Sequence, residues 1–484
     1  MKAHLSIHFL SISILVLALT ACDQRRVEAP STTPALSGAS ATDVANSVVH
    51  SRAVQAVIWG MPAVNYDRMY QAMVSQTHGD FNQIVYWSKL PSWKNQTLTP
   101  NPDAIYVMPF FNTKDVGPVV LEIPPADGGV IVGSIDDAWQ TAIEDVGPAG
   151  VDKGKGGKYL ILPPDYKGKL PVGYLPMQSS TFESYALLRS ILKTGSDSDI
   201  AKALDYARHI KVYPLSQAAH PPETKWNDAI NVVFDATIPY DERFFRSLNR
   251  VVQIEPWLER DKAMIDSLKS IGIEKGKSFA PDDAANQTLK SAAQEAHAWL
   301  DLNYEKVFAS PFNPGTQWAF PASADFLKGI QSNYTVPNLY PVDARGLVYS
   351  YGFFSAKHLG VGQYYLMTIK DKDGNRLNGA SSYKLTVPAN PPVNQYWSAT
   401  VYEGATHAFI PNAVRVSRSS QAPELQKNAD GSVDIYFAPK APAGKESNWV
   451  PTDQKGNFEV LFRFYGPEKS LFDKTWKLPD IEKQ

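Results

Sequence analysis

The sequence predicts an α+β protein: two antiparallel β-sandwich or jelly-roll-like domains linked by a helical segment. Two stretches, near 100–180 and beyond 347, carry short β-branched and aromatic runs punctuated by Pro, Gly and Asp, as antiparallel strands require. The stretch between them carries longer apolar patterns at helical spacing. Neither β stretch shows the strand-and-long-helix alternation of a doubly wound sheet.

The order of elements follows from local signals. Lys2, an apolar run from Leu5 to Leu17 and the motif Leu19-Thr20-Ala21-Cys22 read as a secretory segment ending in a lipobox-like site. The run is too short for a transmembrane helix, which needs about 20 apolar residues. Residues 1–21 are thus an expected lipoprotein signal peptide, and Cys22, the only cysteine of the chain, is the expected lipidation site. Acyl chains there (palmitate among them) would hold the protein on a bilayer, facing the periplasm of a bacterial cell envelope. Asp23 resembles an inner-membrane retention signal. Residues 22–41, rich in Ser, Thr, Pro and Ala, read as a flexible tether.

Residues 42–180 should hold N-terminal helices and the first β domain. A helix capped by Thr42 or Asp43 carries Val44, Val48, Val54, Val57 and Ile58, and Gly60-Met61-Pro62 should break it. Strands are expected at 104–111, 119–123, 130–135 and 159–162. Residues 181–330 form the helical segment. Ser180-Thr181-Phe182-Glu183 fits a capping box before Tyr185, Leu187, Leu188 and Ile191, and further helices are expected at 198–210, 240–253, 259–271 and 282–308. Residues 331–484 form the second β domain, with strands at 347–354, 363–370, 382–387, 396–402, 433–437 and 458–465.

Composition limits function. With 47 Lys+Arg against 49 Asp+Glu the formal charge is −2, so no global field draws nucleic acid. One cysteine excludes an internal disulfide framework, a thiolate zinc cluster and an iron–sulfur site. No phosphate-binding loop, dinucleotide fingerprint, nucleophile elbow or zinc-helix motif occurs, and the nine His residues show no ligand spacing. No cofactor and no metal are therefore expected.

Candidate ligand-binding residues lie in the first β domain. In a strand through 135–140, Asp137 and Trp139 share one face, where a carboxylate and an indole would suit a polar, partly apolar ligand. The bland alternative makes Trp139 core and Asp137 a strand-end acceptor. Asn101 and Asp103 favour an Asx turn or a ligand contact. Tyr66 and Arg68 sit on an early helix, Arg68 able to clamp an anion or to form an exposed ion pair. Asp103 and Asp137, if they meet, are candidate catalytic carboxylates. His358 and His407 lie in one β region and would meet in space only if the fold brings them together.

Several motifs resemble a known family. Trp59-Gly60-Met61-Pro62, Asn65-Tyr66, Thr99-Pro100-Asn101-Pro102-Asp103-Ala104-Ile105-Tyr106 and Asp137-Ala138-Trp139 resemble the domain of unknown function 1254. Tyr383-Lys384-Leu385, Pro391-Pro392-Val393, Trp397-Ser398, Asp430-Gly431-Ser432 and Asn448-Trp449 resemble domain 1214. The resemblance implies two β-rich, jelly-roll-like domains with helices between them in an exported chain, and no established reaction. The combined expectation is a cell-envelope lipoprotein that binds a small organic or carbohydrate-like ligand in a cleft of the first β domain. The alternative is a cofactor-free hydrolase or lyase using paired carboxylates.

Overall fold

A computed structural model describes residues 40–354, 356–358 and 362–484. The expected signal peptide, Cys22 and most of the expected tether lie outside the described residues. Among the described residues no helix is long and apolar enough to cross a membrane.

The first helix, Ala41–Thr77, opens on a reciprocal cap. The Asp43 N–H donates to Ser40 Oγ at 3.1 Å, and the Ser40 N–H donates to Asp43 Oδ2 at 3.0 Å. The helix does not break at Gly60-Met61-Pro62 as expected; Pro62 lies inside it. Pro62 has no N–H to give the Ile58 carbonyl four residues back, and tertiary packing supplies the compensation. Gly346, on the helix Val342–Tyr351, presses against that carbonyl so closely that a Cβ there would lie 2.4 Å from Ile58 O. Asn65 Nδ2 then donates to the carbonyls of Tyr349 (2.6 Å) and Gly352 (2.9 Å) at the end of the same helix. This crossing also explains why residues 347–354, aromatic and expected as a strand, are helical to Tyr351.

The first β region holds two main open sheets. The larger runs in the order Trp226–Asp228, Gln83–Tyr86, Ile105–Asn112, Glu183–Ser190, Ile131–Asp137, Ala142–Val146. The smaller runs Lys211–Pro214, Val119–Ile123, Gly157–Leu162, Tyr174–Gln178. Val107, Ile135 and Leu188 of one share a core with Leu121, Tyr159 and Ile161 of the other. Strands thus continue into the segment expected to be helical. The expected helix over 181–191 is the central strand Glu183–Ser190. A strand buried on both faces shows no polar alternation and cannot be told from a buried helix by pattern. The expected strand through 135–140 ends at Asp137.

The second β region also has two open sheets. One runs Gln363–Thr368, Phe458–Tyr465, Trp397–Glu403, Ser417–Ser419; the other runs Trp449–Pro451, Val433–Ala438, Tyr383–Val387, Glu482–Lys483. Leu366, Trp397 and Phe462 share a core with Leu385, Ile435 and Phe437. Helices at Asp197–Ala207, Glu242–Ile254, Lys262–Ser267 and Asp283–Val307 match the expected helical middle apart from its first member. The architecture is α+β with several sheets, none closed.

A third core joins the two β regions and the helices. It takes alternate residues of the same strands: Tyr185 and Leu187 belong to it, Ala186 and Leu188 to the first sheet pair. Likewise Leu461 belongs to it, while Val460 and Phe462 belong to the second sheet pair. Period two therefore turns one face of each region's central strand toward the middle of the molecule.

If the Pro62–Gly346 crossing is as tight as this, Gly346→Ala should cost about 1–3 kcal/mol through overpacking against backbone. Denaturant unfolding should show a lower midpoint at unchanged slope, and an unchanged midpoint would refute the close crossing.

Candidate functional site

The alternation that fills the third core also brings polar side chains into it. On Glu183–Ser190, Arg189 follows Tyr185 and Leu187 on the inward face. On Phe458–Tyr465, Arg463 and Tyr465 follow the inward Leu461 on that face. Tyr106, Tyr365 and Tyr402 come inward from neighbouring strands. Leu187, Arg189, Leu461, Arg463, Tyr106 and Tyr365 meet at a partly open cavity of about 70 Å³, measured by where the centre of a water-sized sphere can go. Arg189, Arg463, Tyr106, Tyr365 and Asn101 line it on one side, and Trp87, Met108, Phe353, Phe354 and Met367 are among its apolar walls.

The two guanidinium groups are held differently. Arg463 Nη1 donates to Thr400 Oγ1 at 2.8 Å, and its Nη2 donates to Tyr402 Oη (2.5 Å) and to the carbonyls of Thr99 (3.1 Å) and Pro100 (3.2 Å). Its Nε has no hydrogen-bond partner among the described residues. Arg189 lies beside the Tyr106 hydroxyl, its guanidinium carbon 5.3 Å from that ring's centre. Neither arginine has a carboxylate within ion-pair distance among the described residues. Both remain charged at any accessible pH, and both act on Tyr365 and Tyr465, so the two cations share one neighbourhood.

Several further groups here can donate, and Asn95, whose buried Oδ1 has no hydrogen-bond partner among the described residues, also lines the cavity. The Asn101 N–H donates to Tyr106 Oη at 2.9 Å, and the Tyr106 hydroxyl has no acceptor among the described residues for its own proton. Burial raises the Tyr365, Tyr402 and Tyr465 hydroxyls above the usual phenol range, and the pull of Arg463 offsets only part of that. They stay protonated. Asn101 Nδ2 donates to Tyr465 Oη. Two desolvated cations and protonated hydroxyls around one cavity make an electrostatic well for an anion.

The residues singled out from sequence are scattered. Asn101 lines the cavity, and its Oδ1 also accepts from the Asp103 N–H at 3.0 Å in an Asx turn. Asp103 faces a separate open cleft with Arg415 and Ser417; burial raises its carboxyl, and Arg463 pulls the other way. Asp137 faces a third cleft, with Arg260 and Lys357. Its Oδ1 accepts from the N–H groups of Trp139 and Thr141, both at 2.9 Å, and its Oδ2 accepts from Ser180 Oγ. Trp139 is buried against Trp59, ring centres 4.8 Å apart. The expected shared face of Asp137 and Trp139 therefore does not form, and no hydrogen bond or ion pair joins Asp103 to Asp137 among the described residues. Tyr66 is buried with its hydroxyl toward Glu183 at 3.4 Å. Arg68 donates to the carbonyls of Asp235 and Thr237. His358 pairs with Asp145 at 2.9 Å and His407 with Glu459 at 3.0 Å, so the two histidines have separate partners.

Sequence reasoning missed Arg189, Arg463, Tyr106 and Tyr365. A usable signal existed for the first two. Each is a lone arginine inside an otherwise apolar or aromatic run, Tyr185–Ile191 and Val460–Tyr465, where a charge must be either functional or paired.

Fold and cavity together define a class: a protein of two β regions and packed helices with a cavity between the regions that an arginine from each region lines. Family models agree on its parts. The protein of unknown function DUF1254 matches residues 81–214 and the protein of unknown function DUF1214 matches 362–469; the chain carries both domains. Arg189 falls in the first match and Arg463 in the second. The VPA0106 protein from Vibrio parahaemolyticus, known from a crystal structure, is similar at a TM-score of 0.54 and 18% identity, over 90% of this chain and 100% of that one. That likeness concerns the fold alone. An uncharacterized protein from Burkholderia cenocepacia aligns over 92% of this chain and 96% of its own at 11% identity, with a TM-score of 0.39, too loose for any inference. No curated protein matches the chain.

A pair of buried carboxyls stands apart from the chamber. The Glu255 carboxylate accepts from the N–H groups of Phe182 (2.6 Å) and Glu183 (2.9 Å), fixing the start of the central strand. Burial, then the charges of Glu255 and Asp67, push the Glu183 carboxyl up to about 8. Burial pushes Glu255 up to about 7 against those two hydrogen bonds. In the unfolded chain both titrate near 4.3. The folded state therefore holds more protons between these values, and stability must fall as pH rises from about 5 to about 8. Glu183→Gln should flatten that slope by up to about 1.4 kcal/mol per pH unit. The variant should melt above wild type at pH 8.5 and close to it at pH 5. Parallel melting curves at both pH values would contradict the assignment.

Proposed function

We propose that this protein is a cell-envelope lipoprotein that binds a small organic anion in the chamber between its two β regions. The observation that carries the proposal is the convergence of Arg189 and Arg463, one from each region, on one cavity without a carboxylate within ion-pair distance of either among the described residues. Burying an unpaired cation costs several kcal/mol even after relaxation, and a bound anion would offset that cost. The ligand site expected in the first β region alone moves to the boundary between the two. The shared cores of the sheet pairs favour reading each region as a two-layer sandwich. The Leu19-Thr20-Ala21-Cys22 motif supports the anchor. Hydrolase or lyase chemistry by Asp103 and Asp137 has less support, because they line separate clefts.

Two measurements test this. Arg189→Met replaces a buried charge by an apolar side chain of similar length. The ligand-free variant should be more stable than wild type by about 1–4 kcal/mol, and native mass spectrometry should show loss of any anion that co-purifies with wild type. A less stable variant that still carries the same molecule would mean that Arg189 is structural. For the anchor, Cys22→Ser should move the protein from the membrane to the soluble fraction or block its processing; retention on membranes after a salt wash would refute lipidation.

A further inference from the structure

We infer that the ligand is a monocarboxylate with a flat apolar body, bound carboxylate-first between Arg189 and Arg463. This inference rests on the proposed anion site and adds the ligand class.

The free donors set the head group. Arg463 uses Nη2 on Tyr402 and the Thr99 and Pro100 carbonyls and one Nη1 N–H on Thr400, which leaves its Nε and the second Nη1 N–H. Arg189 has its guanidinium edge, and the Tyr106 and Tyr365 hydroxyls have protons without an acceptor among the described residues. A planar carboxylate, with two oxygens and about four lone-pair sites, matches a guanidinium edge plus hydroxyls. A tetrahedral dianion would need a fuller shell of donors.

The walls set the body. Trp87, Phe353 and Phe354 present rings and Met69, Met108 and Met367 present thioethers. These surfaces favour a flat, polarisable body over a hydroxyl-rich one. A cavity in which the centre of a water-sized sphere can range over about 70 Å³ has room for several waters or for a body the size of one six-membered ring. The expectation of a carbohydrate-like ligand is thereby narrowed to an acid with few or no hydroxyls.

The test is calorimetric titration of the full chain with benzoate, inorganic phosphate and benzyl alcohol. Benzoate should bind at least tenfold more tightly than either of the others. Arg189→Met should abolish binding, and Tyr365→Phe, which keeps the ring, should weaken it several-fold. The second variant decides the matter if Arg189→Met fails to fold. Phosphate binding as tightly as benzoate, with loss in the same variants, would overturn the monocarboxylate inference and leave the anion site standing. Benzyl alcohol binding as tightly as benzoate, variants binding benzoate like wild type, or no binding by any probe would overturn both.

Discussion

The Arg463 side chain is the tie on which the rest of the structure depends. It belongs to the central strand of the second β region, yet two of its hydrogen bonds end on the Thr99 and Pro100 carbonyls of the first. A carbonyl pair in a loop buried between two layers must find donors, and one guanidinium serves both while also holding Thr400 and Tyr402. Asn101 continues the same junction: its N–H goes to Tyr106 and its Nδ2 to Tyr465, one on each side. The chamber is therefore a by-product of joining two β regions through polar groups. Its charge follows from making the joint with an arginine that has no carboxylate partner.

The chain shows its secondary structure where burial is one-sided and hides it where burial is two-sided. The helices at Glu242–Ile254 and Asp283–Val307 each pack one face, so their period was visible. Glu183–Ser190 is packed on both faces by different cores, and its run of apolar residues reads equally as helix. Leu347–Tyr351 carries the residues of a strand but is held as helix by a contact with Ile58, almost three hundred positions earlier. No local pattern contains that information. Pro62 misled in the same way: its local effect is to free a carbonyl, and only the distant Gly346 shows how the fold accommodates it.

The candidate site was legible in part. Asn101 was reached through its turn chemistry and does line the chamber, although the turn accounts for its Oδ1. Asp137 and Trp139 drew notice as a carboxylate beside an indole. Their spacing reflects a strand-end acceptor loop and a core ring instead. Arg189 and Arg463 belong to no recurrent motif; their meaning lies in isolation, one cation in each apolar strand, brought together only by the tertiary fold.

The crossing of the first helix with residues 346–352 also constrains the order of events during synthesis. Ile58 and Asn65 precede their partners at Gly346, Tyr349 and Gly352 by more than 280 positions. Contacts so distant in sequence carry a large loop-closure cost and form late. The first helix meets nearer partners sooner, Tyr70 on Phe81 and Tyr66 on Phe110, but its crossing at Ile58 and Asn65 waits for residues 346–352. That crossing therefore closes late, while the first sheet pair, whose buried core lies within residues 84–212, needs nothing from it.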